Sequence, residues 1–378
     1  MIFNYEAIGQ RIEAVMKTAV IPGLSIAIID QGALAWSHAF GVANVSTGEP
    51  VTTETIFEAA SLTKPVFAYW VLQLVEAGVL AFDTPLVTYL PEAERNSPRL
   101  FDVSGRNKTF TFDYVVNETA VQQITLRHVL SHQPGFPNWT VPGNGLKTHL
   151  PPGQRFSYSG DGYHFLQKVL TSLLASSPAK QLSKEVLQPL GMTLTHPMGA
   201  GLEAYHVATG HDAQGEVTEK WRSAEMYAAA SLHTTPTDYA RFLLALMNPD
   251  ATNSAHLRKE TVKAMFERQV QVNDCTSSHF DWPRETVNLE PNLFWGLGWG
   301  LEQRDYSYCF WQWGDNGNFK AFVLGDLVKK TAVILMSNSC NAQDVWGDML
   351  AEIIDAPLAS LDWLKRMNTY NKQNKETE

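Results

Sequence analysis

Strands at both ends of the 378-residue chain, with helices between them, predict an α/β (α+β) protein. The expected architecture is an antiparallel sheet flanked by helices, with an all-helical insert. Near the N-terminus, Leu24 to Ile29 and Ala33 to Gly41 are β-rich runs around the turn signal Asp30-Gln31-Gly32, which is a hairpin. Near the C-terminus, Leu297 to Gln303, Tyr308 to Trp313, Phe319 to Leu324 and Thr331 to Met336 are strand-like runs separated by short turns, an antiparallel meander. The middle reads mostly as helix. Residues 1–80 and 205–378 are therefore expected to form one discontinuous sheet domain, and residues 81–204 a mainly helical one.

The elements follow from local pattern. Ile8, Ile12, Val15 and Met16 fall at helical spacing and predict an amphipathic first helix. A second helix is expected from about Leu62, with Phe67, Val71, Leu74 and Val75 on one face and Gly78 as its stop. Asn96 to Gln123 is polar and aperiodic and reads as a surface insertion. Ile124 to His132 reads as a helix halted by Pro134-Gly135, and Phe136 to Gln154 as a Pro- and Gly-rich loop. Helices are expected over Tyr163 to Ala175, Lys184 to Leu190 and His256 to Glu267. Another spans Pro236 to Met247, with Thr235 as N-cap and Pro236 at the first helical position. Gln269 to Pro291 reads as irregular, Val345 to Ile354 as a helix over the sheet, and Asn371 to Glu378 as a frayed polar tail.

Composition excludes several functions. A net charge of −10 argues against nucleic-acid or anionic-membrane partners, which need a basic surface. The apolar run from Val20 to Ile29 contains Pro22 and Gly23 and is too short to span a bilayer. No secretory signal precedes it, so the chain reads as cytoplasmic, or periplasmic if trimmed. Cys275, Cys309 and Cys340 are widely spaced and odd in number, so they read as plain thiols. His128 and His132, at i and i+4, and His206 and His211 lack a HExxH pattern or an evident third ligand. No metal and no cofactor are expected.

Chemistry concentrates in three stretches. In Ser61-Leu62-Thr63-Lys64, residues i and i+3 share a helix face, which puts an amine within reach of a hydroxyl. A serine hydroxyl needs such a base, and Lys64 serves if burial lowers its pKa. In Phe156-Ser157-Tyr158-Ser159-Gly160, the phenol of Tyr158 is a second candidate for proton work. In Trp313-Gly314-Asp315-Asn316-Gly317-Asn318, glycines allow close approach to a ligand, and a backbone amide, expected from Asn318, would complete an oxyanion hole with that of Ser61. Asp315, Asn316, Gly317 and Asn318 are the expected oxyanion and substrate-binding residues. No GxSxG elbow is present.

Read together, these stretches resemble the serine β-lactamase and penicillin-recognising superfamily, in its class C β-lactamase, esterase and D-aminopeptidase branch. Ile124 to His132 followed by Gly135-Phe136-Pro137, Tyr158-Ser159 with Gly162-Tyr163, Leu232 to Phe242, Pro189 to Met192 and Phe294 to Trp299 extend the likeness over most of the chain. The resemblance implies a β-lactamase/DD-peptidase-like fold with an active site between its two domains. It further implies an acyl-enzyme at Ser61, with Lys64 and Tyr158 sharing the proton work. Two positions depart from the family pattern: Gly160 stands where Asn is common, and Asp315 where Lys or His is. A carboxylate there disfavours β-lactams and, if close to Lys64, would hold that amine charged. The expectation is an esterase or amidase acting on a small ester or amide, neutral or bearing a free amine. The alternative is a catalytically degenerate ligand-binding or scaffold member of the same fold.

Overall fold

A computed structural model describes residues 3–101, 112–140, 144–218, 223–250, 252–274, 286–304, 307–354 and 357–375. The strands, in chain order, begin with β1 (Gly23–Asp30), β2 (Ala33–Asn44), β3 (Glu49–Pro50) and β4 (Phe57–Glu58). Short strands β5 (Arg99–Leu100), β6 (Tyr114–Val116), β7 (Gly145–Leu146) and β8 (His233–Thr234) follow. The series ends with β9 (Val270–Asn273), β10 (Leu289–Trp295), β11 (Gly300–Arg304), β12 (Ser307–Asp315), β13 (Lys320–Asp326) and β14 (Thr331–Ser337). The helices are α1 (Tyr5–Thr18), α2 (Thr63–Glu76), α3 (Glu92–Arg95), α4 (Leu126–Leu130) and α5 (Gly160–Leu174). After them come α6 (Pro178–Leu182), α7 (Pro236–Met247), α8 (Lys259–Met265), α9 (Trp346–Leu350) and α10 (Ala359–Lys375).

Nine strands form one antiparallel sheet in the order β3-β2-β1-β14-β13-β12-β11-β10-β9. The N-terminal hairpin and the C-terminal meander meet in its middle, where β1 pairs β14 with Ile26 opposite Leu335. Side chains alternate between two cores, as the pleat requires. Leu24, Ile26, Ile28, Phe322, Leu324, Val333 and Leu335 point into one, with α1, α9 and α10. Ala27, Ile29, Ala321, Val323, Ile334 and Met336 point into the other, with α2, α5 and α7. A sheet covered on both faces carries nearly unbroken apolar strands, and β1 is buried from Gly23 to Ile29.

Helix α2 runs through the larger core and is buried on all sides from Thr63 to Leu72. Helices apolar all round belong inside, and Lys64 is the one charged residue in that stretch. Helix α1 starts at Asn4, whose side chain accepts from the Ala7 amide at 3.1 Å, and buries Ile8, Ile12 and Met16.

Several boundaries differ from expectation. Helix α4 is only Leu126–Leu130, because Thr125 and His128 cap each other's amides and His132 turns left-handed at φ 57°. The helix expected over Lys184 to Leu190 starts earlier, at Pro178, and continues as a π-turn over Ser183–Leu187. The polar stretch from Gln269 to Pro291 contributes β9 and β10, its residues 275–285, Cys275 included, lying outside the described ones. Part of the Asn96 to Gln123 insertion (102–111) and the last three residues of the tail also lie outside them, and the rest of that tail is in α10. The insertion supplies β5 and β6, which join β7 in a small three-stranded sheet within the helical region. Cys309 and Cys340 are free thiols.

Candidate active site

Strand β4 pairs antiparallel with β8, Phe57 opposite Thr234 and Glu58 opposite His233. The chain then turns sharply: Ala60 has φ +48°, a left-handed conformation that costs free energy in a residue with a Cβ. Ser61 follows in a single 3₁₀ turn, Ala60–Leu62, and is 9% exposed. Thr63 locks the turn, its hydroxyl donating to the Ala60 carbonyl at 2.6 Å and accepting from the Leu232 amide at 2.9 Å.

One turn on, the Lys64 amine lies 3.0 Å from Ser61 Oγ and donates to the Ala229 carbonyl at 2.9 Å. It is fully buried, and the rings of Tyr158, Tyr163 and Trp139 stand 4.8, 5.7 and 5.9 Å from it. Burial drives its pKa well below the ordinary value, with the Asp161 charge opposing. Asp161 has no exposed surface, and its Oδ2 accepts from the Thr140 hydroxyl at 2.6 Å. Burial pushes its carboxyl up to about 7.

Tyr158 precedes α5, whose N-cap is Ser159, accepting from the Gly162 amide at 2.9 Å. Its hydroxyl is hydrogen-bonded to Ser61, and burial raises its pKa above the ordinary phenol range. His132 and Trp313 pack on its ring, with centroids 4.0 and 4.5 Å away. His132 Nδ1 accepts from the Ser159 amide at 3.0 Å, which puts any ring proton on Nε2.

Gln312, unseen in the sequence reading, completes the group. Its Nε2 donates to the Tyr158 hydroxyl at 2.9 Å and to the Ser61 carbonyl at 3.2 Å, and the side chain is fully buried. A signal existed: Gln312 is the lone polar residue between Trp311 and Trp313 in an otherwise apolar run.

The sequence pattern of the Beta-lactamase family matches residues 8–352. The chain belongs to the beta-lactamase family. This is a family of serine hydrolases, in agreement with the resemblance read from the sequence. Among curated relatives, esterase EstB of Burkholderia gladioli is 31% identical over 143 residues, which take in 37% of this chain and 32% of that one. Protein flp of Staphylococcus aureus (strain N315) is 25% identical over 215 residues, 56% of this chain and 42% of that one. The chain thus spans less than half of the flp protein that it matches. The fold agrees with that of D-alanine carboxypeptidase AmpC from Burkholderia cenocepacia: TM-score 0.69 at 18% identity, covering 92% of this chain and 99% of that one. It also agrees with the octameric penicillin-binding protein homologue from Pyrococcus abyssi: TM-score 0.67 at 21% identity, covering 92% and 76%.

Against this beta-lactamase background the two departures acquire physical reasons. A Cβ at Gly160 would stand 2.7 Å from the Asn138 carbonyl and 3.0 Å from its Oδ1. That Oδ1 accepts from the Gly160 amide at 2.9 Å, so the Asn138 carboxamide fills the space a larger residue would need. Asp315 does not face Lys64. Along β12, Gln312 and Gly314 turn toward the Ser61 segment, whereas Trp311, Trp313 and Asp315 alternate to the other face. There the Asp315 carboxylate pairs with Lys320, its register partner on β13, and accepts from the Gly317 amide at 2.8 Å. The condition that Asp315 be close to Lys64 is not met, and the acid whose charge, when ionised, opposes burial at Lys64 is Asp161.

The Asn318 expectation is also corrected. Its amide closes the hairpin by donating to the Asn316 carbonyl at 3.0 Å, and its side chain donates to Thr218 at 2.8 Å. Gly317 serves the turn with φ +74°, and Asn316 Nδ2 donates to Glu58 at 2.8 Å. The histidines weighed as ligands lie apart from one another in function. His128 caps α4, His206 bridges Thr55 and Glu49 at 3.0 and 3.1 Å, and His211 meets the Asn338 carbonyl at 3.0 Å. Among the described residues no helix is long and apolar enough to cross a membrane.

Proposed function

We propose that the protein is an esterase or amidase that forms an acyl-enzyme at Ser61, with weak or no β-lactamase activity. The observation that carries this is the fully buried Lys64 amine 3.0 Å from Ser61 Oγ. Burial favours the neutral form of both candidate bases, so Lys64 is the one that carries a free lone pair, while Tyr158 keeps its proton. Lys64 takes the Oγ proton as Oγ attacks the carbonyl carbon. The proton then passes through the Tyr158 hydroxyl to the leaving group, and water releases the acyl group by the reverse relay.

The developing oxyanion accepts from the Ser61 amide and from a β12 edge amide, which we assign to Asp315. The Asn316 amide donates to Phe319 across the β12–β13 hairpin at 3.1 Å, so by the antiparallel alternation the Asp315 amide points out of that ladder. Strand β11 begins only at Gly300, opposite Trp311, which leaves the edge of β12 beyond Trp311 open beside the Ser61 turn. In this reading residues 1–80 and 205–378 supply Ser61, Lys64 and Gln312, residues 81–204 supply Tyr158, and the substrate binds between them.

Substrate preference follows from charge. The group beside Tyr158 is the neutral Gln312, and the nearby cation Lys320 is tied to Asp315 on the far face, so neither of these described residues offers a free cation to an acid group. Purified protein is expected to turn over p-nitrophenyl acetate or butyrate with a kcat/KM at least about a hundredfold above that for nitrocefin. Comparable values for the two would end the reading.

A further inference from the structure

Glu58 is a buried acid that the chemistry above does not use. It is 4% exposed and lies three residues before Ser61 on β4. Its Oε2 accepts from Asn316 Nδ2 at 2.8 Å, and the same Nδ2 stands 3.4 Å from the Ala230 carbonyl. One carboxamide therefore joins three segments of the site: the strand leading to the nucleophile, the Ala229–Ala230 segment whose carbonyl holds Lys64, and the end of β12. Glycine at position 314 lets these segments close up, since a Cβ there would run into the Ala59 carbonyl. The short strand β8 pairs with β4, with His233 opposite Glu58 and its Nδ1 meeting the Ser231 carbonyl at 2.9 Å.

We propose that Glu58 is a positioning residue of the acylation site, holding Asn316 so that the Asp315 amide stands against the Ser61 turn where the oxyanion develops. The inference rests on the hydrolase reading and concerns the transition state more than substrate binding. A carboxylate suits the task because an ionised acceptor makes the stronger hydrogen bond. Burial that pushes the Glu58 acid up to about 7 is the cost of placing it there.

The test compares wild type with Glu58→Ala, Glu58→Gln, Asn316→Ala and the double variant Glu58→Ala/Asn316→Ala. Each is measured for kcat and KM on p-nitrophenyl acetate, for the rate of fluorophosphonate labelling and for Tm. Loss of one oxyanion donor costs ~10²–10³ in kcat, and a displaced donor is expected to cost about tenfold or more, with KM changed by less than about threefold. Glu58→Gln keeps an oxygen that accepts from Asn316 and should restore most of kcat. Asn316→Ala, on a half-buried residue, should match Glu58→Ala, and the double variant should be no worse than either single one. The inference alone is overturned if the wild type is active and Glu58→Ala or Asn316→Ala keeps kcat within about threefold. It is equally overturned if Gln fails to rescue at equal Tm, or if the two losses multiply. A wild type silent toward ester and fluorophosphonate overturns the hydrolase reading and this inference with it.

Discussion

Gln312 donates one carboxamide nitrogen to both the Tyr158 hydroxyl and the Ser61 carbonyl, so a single neutral side chain ties the phenol to the Ser61 backbone. The other carboxamide atom, Oε1, is buried without a partner. The donated N–H stabilises negative charge on the phenol oxygen, against the strong opposing effect of burial.

In the relay proposed above, removing that donor leaves the Tyr158 hydroxyl without its support. Gln312→Ala is expected to lower kcat on p-nitrophenyl esters by about tenfold, the worth of one buried hydrogen bond. Gln312→Lys would bring a cation beside Tyr158. It should raise kcat/KM for nitrocefin relative to the ester, and steady-state assays of both substrates on one preparation check the ratio.

Lys64 combines the amine proposed as base with a buried location, and the two can be separated. Lys64→Met keeps the volume while removing the base. Ester turnover should fall by about a thousandfold, within the usual range for a general base, and fluorophosphonate labelling of Ser61 should vanish. Because a buried polar group is lost, Tm should not fall. A collapse of Tm alongside activity would mean that the amine is structural.

Asp161 gives stability a particular pH dependence. An unfolded Asp ionises near its ordinary value, about 3.9, whereas the folded protein holds this carboxyl protonated up to about 7. Between those limits the folded state binds more protons, so stability is greatest on the acid side of this window and falls as pH rises through it. Glu58, also raised to about 7, acts in the same direction. Asp161→Asn, which can still accept from Thr140, should flatten the decline in Tm between about pH 4 and pH 7, as thermal melts across that range would show.

Restoring the family's usual residue at position 160 should not restore the family's usual chemistry. Gly160→Asn forces a Cβ to 2.7 Å from the Asn138 carbonyl, a backbone atom that cannot swing aside as a side chain tip does. Overpacking of this kind costs ~1–3 kcal/mol. A lower Tm without any gain in nitrocefin hydrolysis is expected from melts and kinetics on the same variant.

The parts of this molecule that were legible are those written in neighbouring residues. Ser61 and Lys64 are three apart, and helical geometry alone brings them together. The N-terminal hairpin, the C-terminal meander and helix α7, with Thr235 as its cap, were readable for the same reason. Helix α10 was not. Its sequence is mostly polar, and its start is capped by Glu302 from β11, which accepts from the Ala359 and Ser360 amides at 3.0 Å each. A cap supplied from so far along the chain leaves no local signature. Gln312 and Glu58 escaped likewise, since each becomes meaningful only opposite a distant partner. The side of β12 taken by Asp315 went unread because the strand expected there stops at Trp313; carried on to Asp315, strand alternation puts that residue with Trp313 and not with Gln312.

The pairing of β1 with β14 in the middle of the sheet governs how the molecule comes into being. As the chain is synthesised, β1 emerges about three hundred residues ahead of the strand that will cover its edge. Until then a nearly continuous apolar strand has only β2 beside it, an edge of the sort that invites association with other chains. Ser61 and Lys64 are present for most of that interval, yet the β12 edge and Gln312 are among the later segments to arrive. On the hydrolase reading proposed above, reactivity at Ser61 is thus coupled to completion of the sheet, and a partly made chain carries the residues of the site without their arrangement.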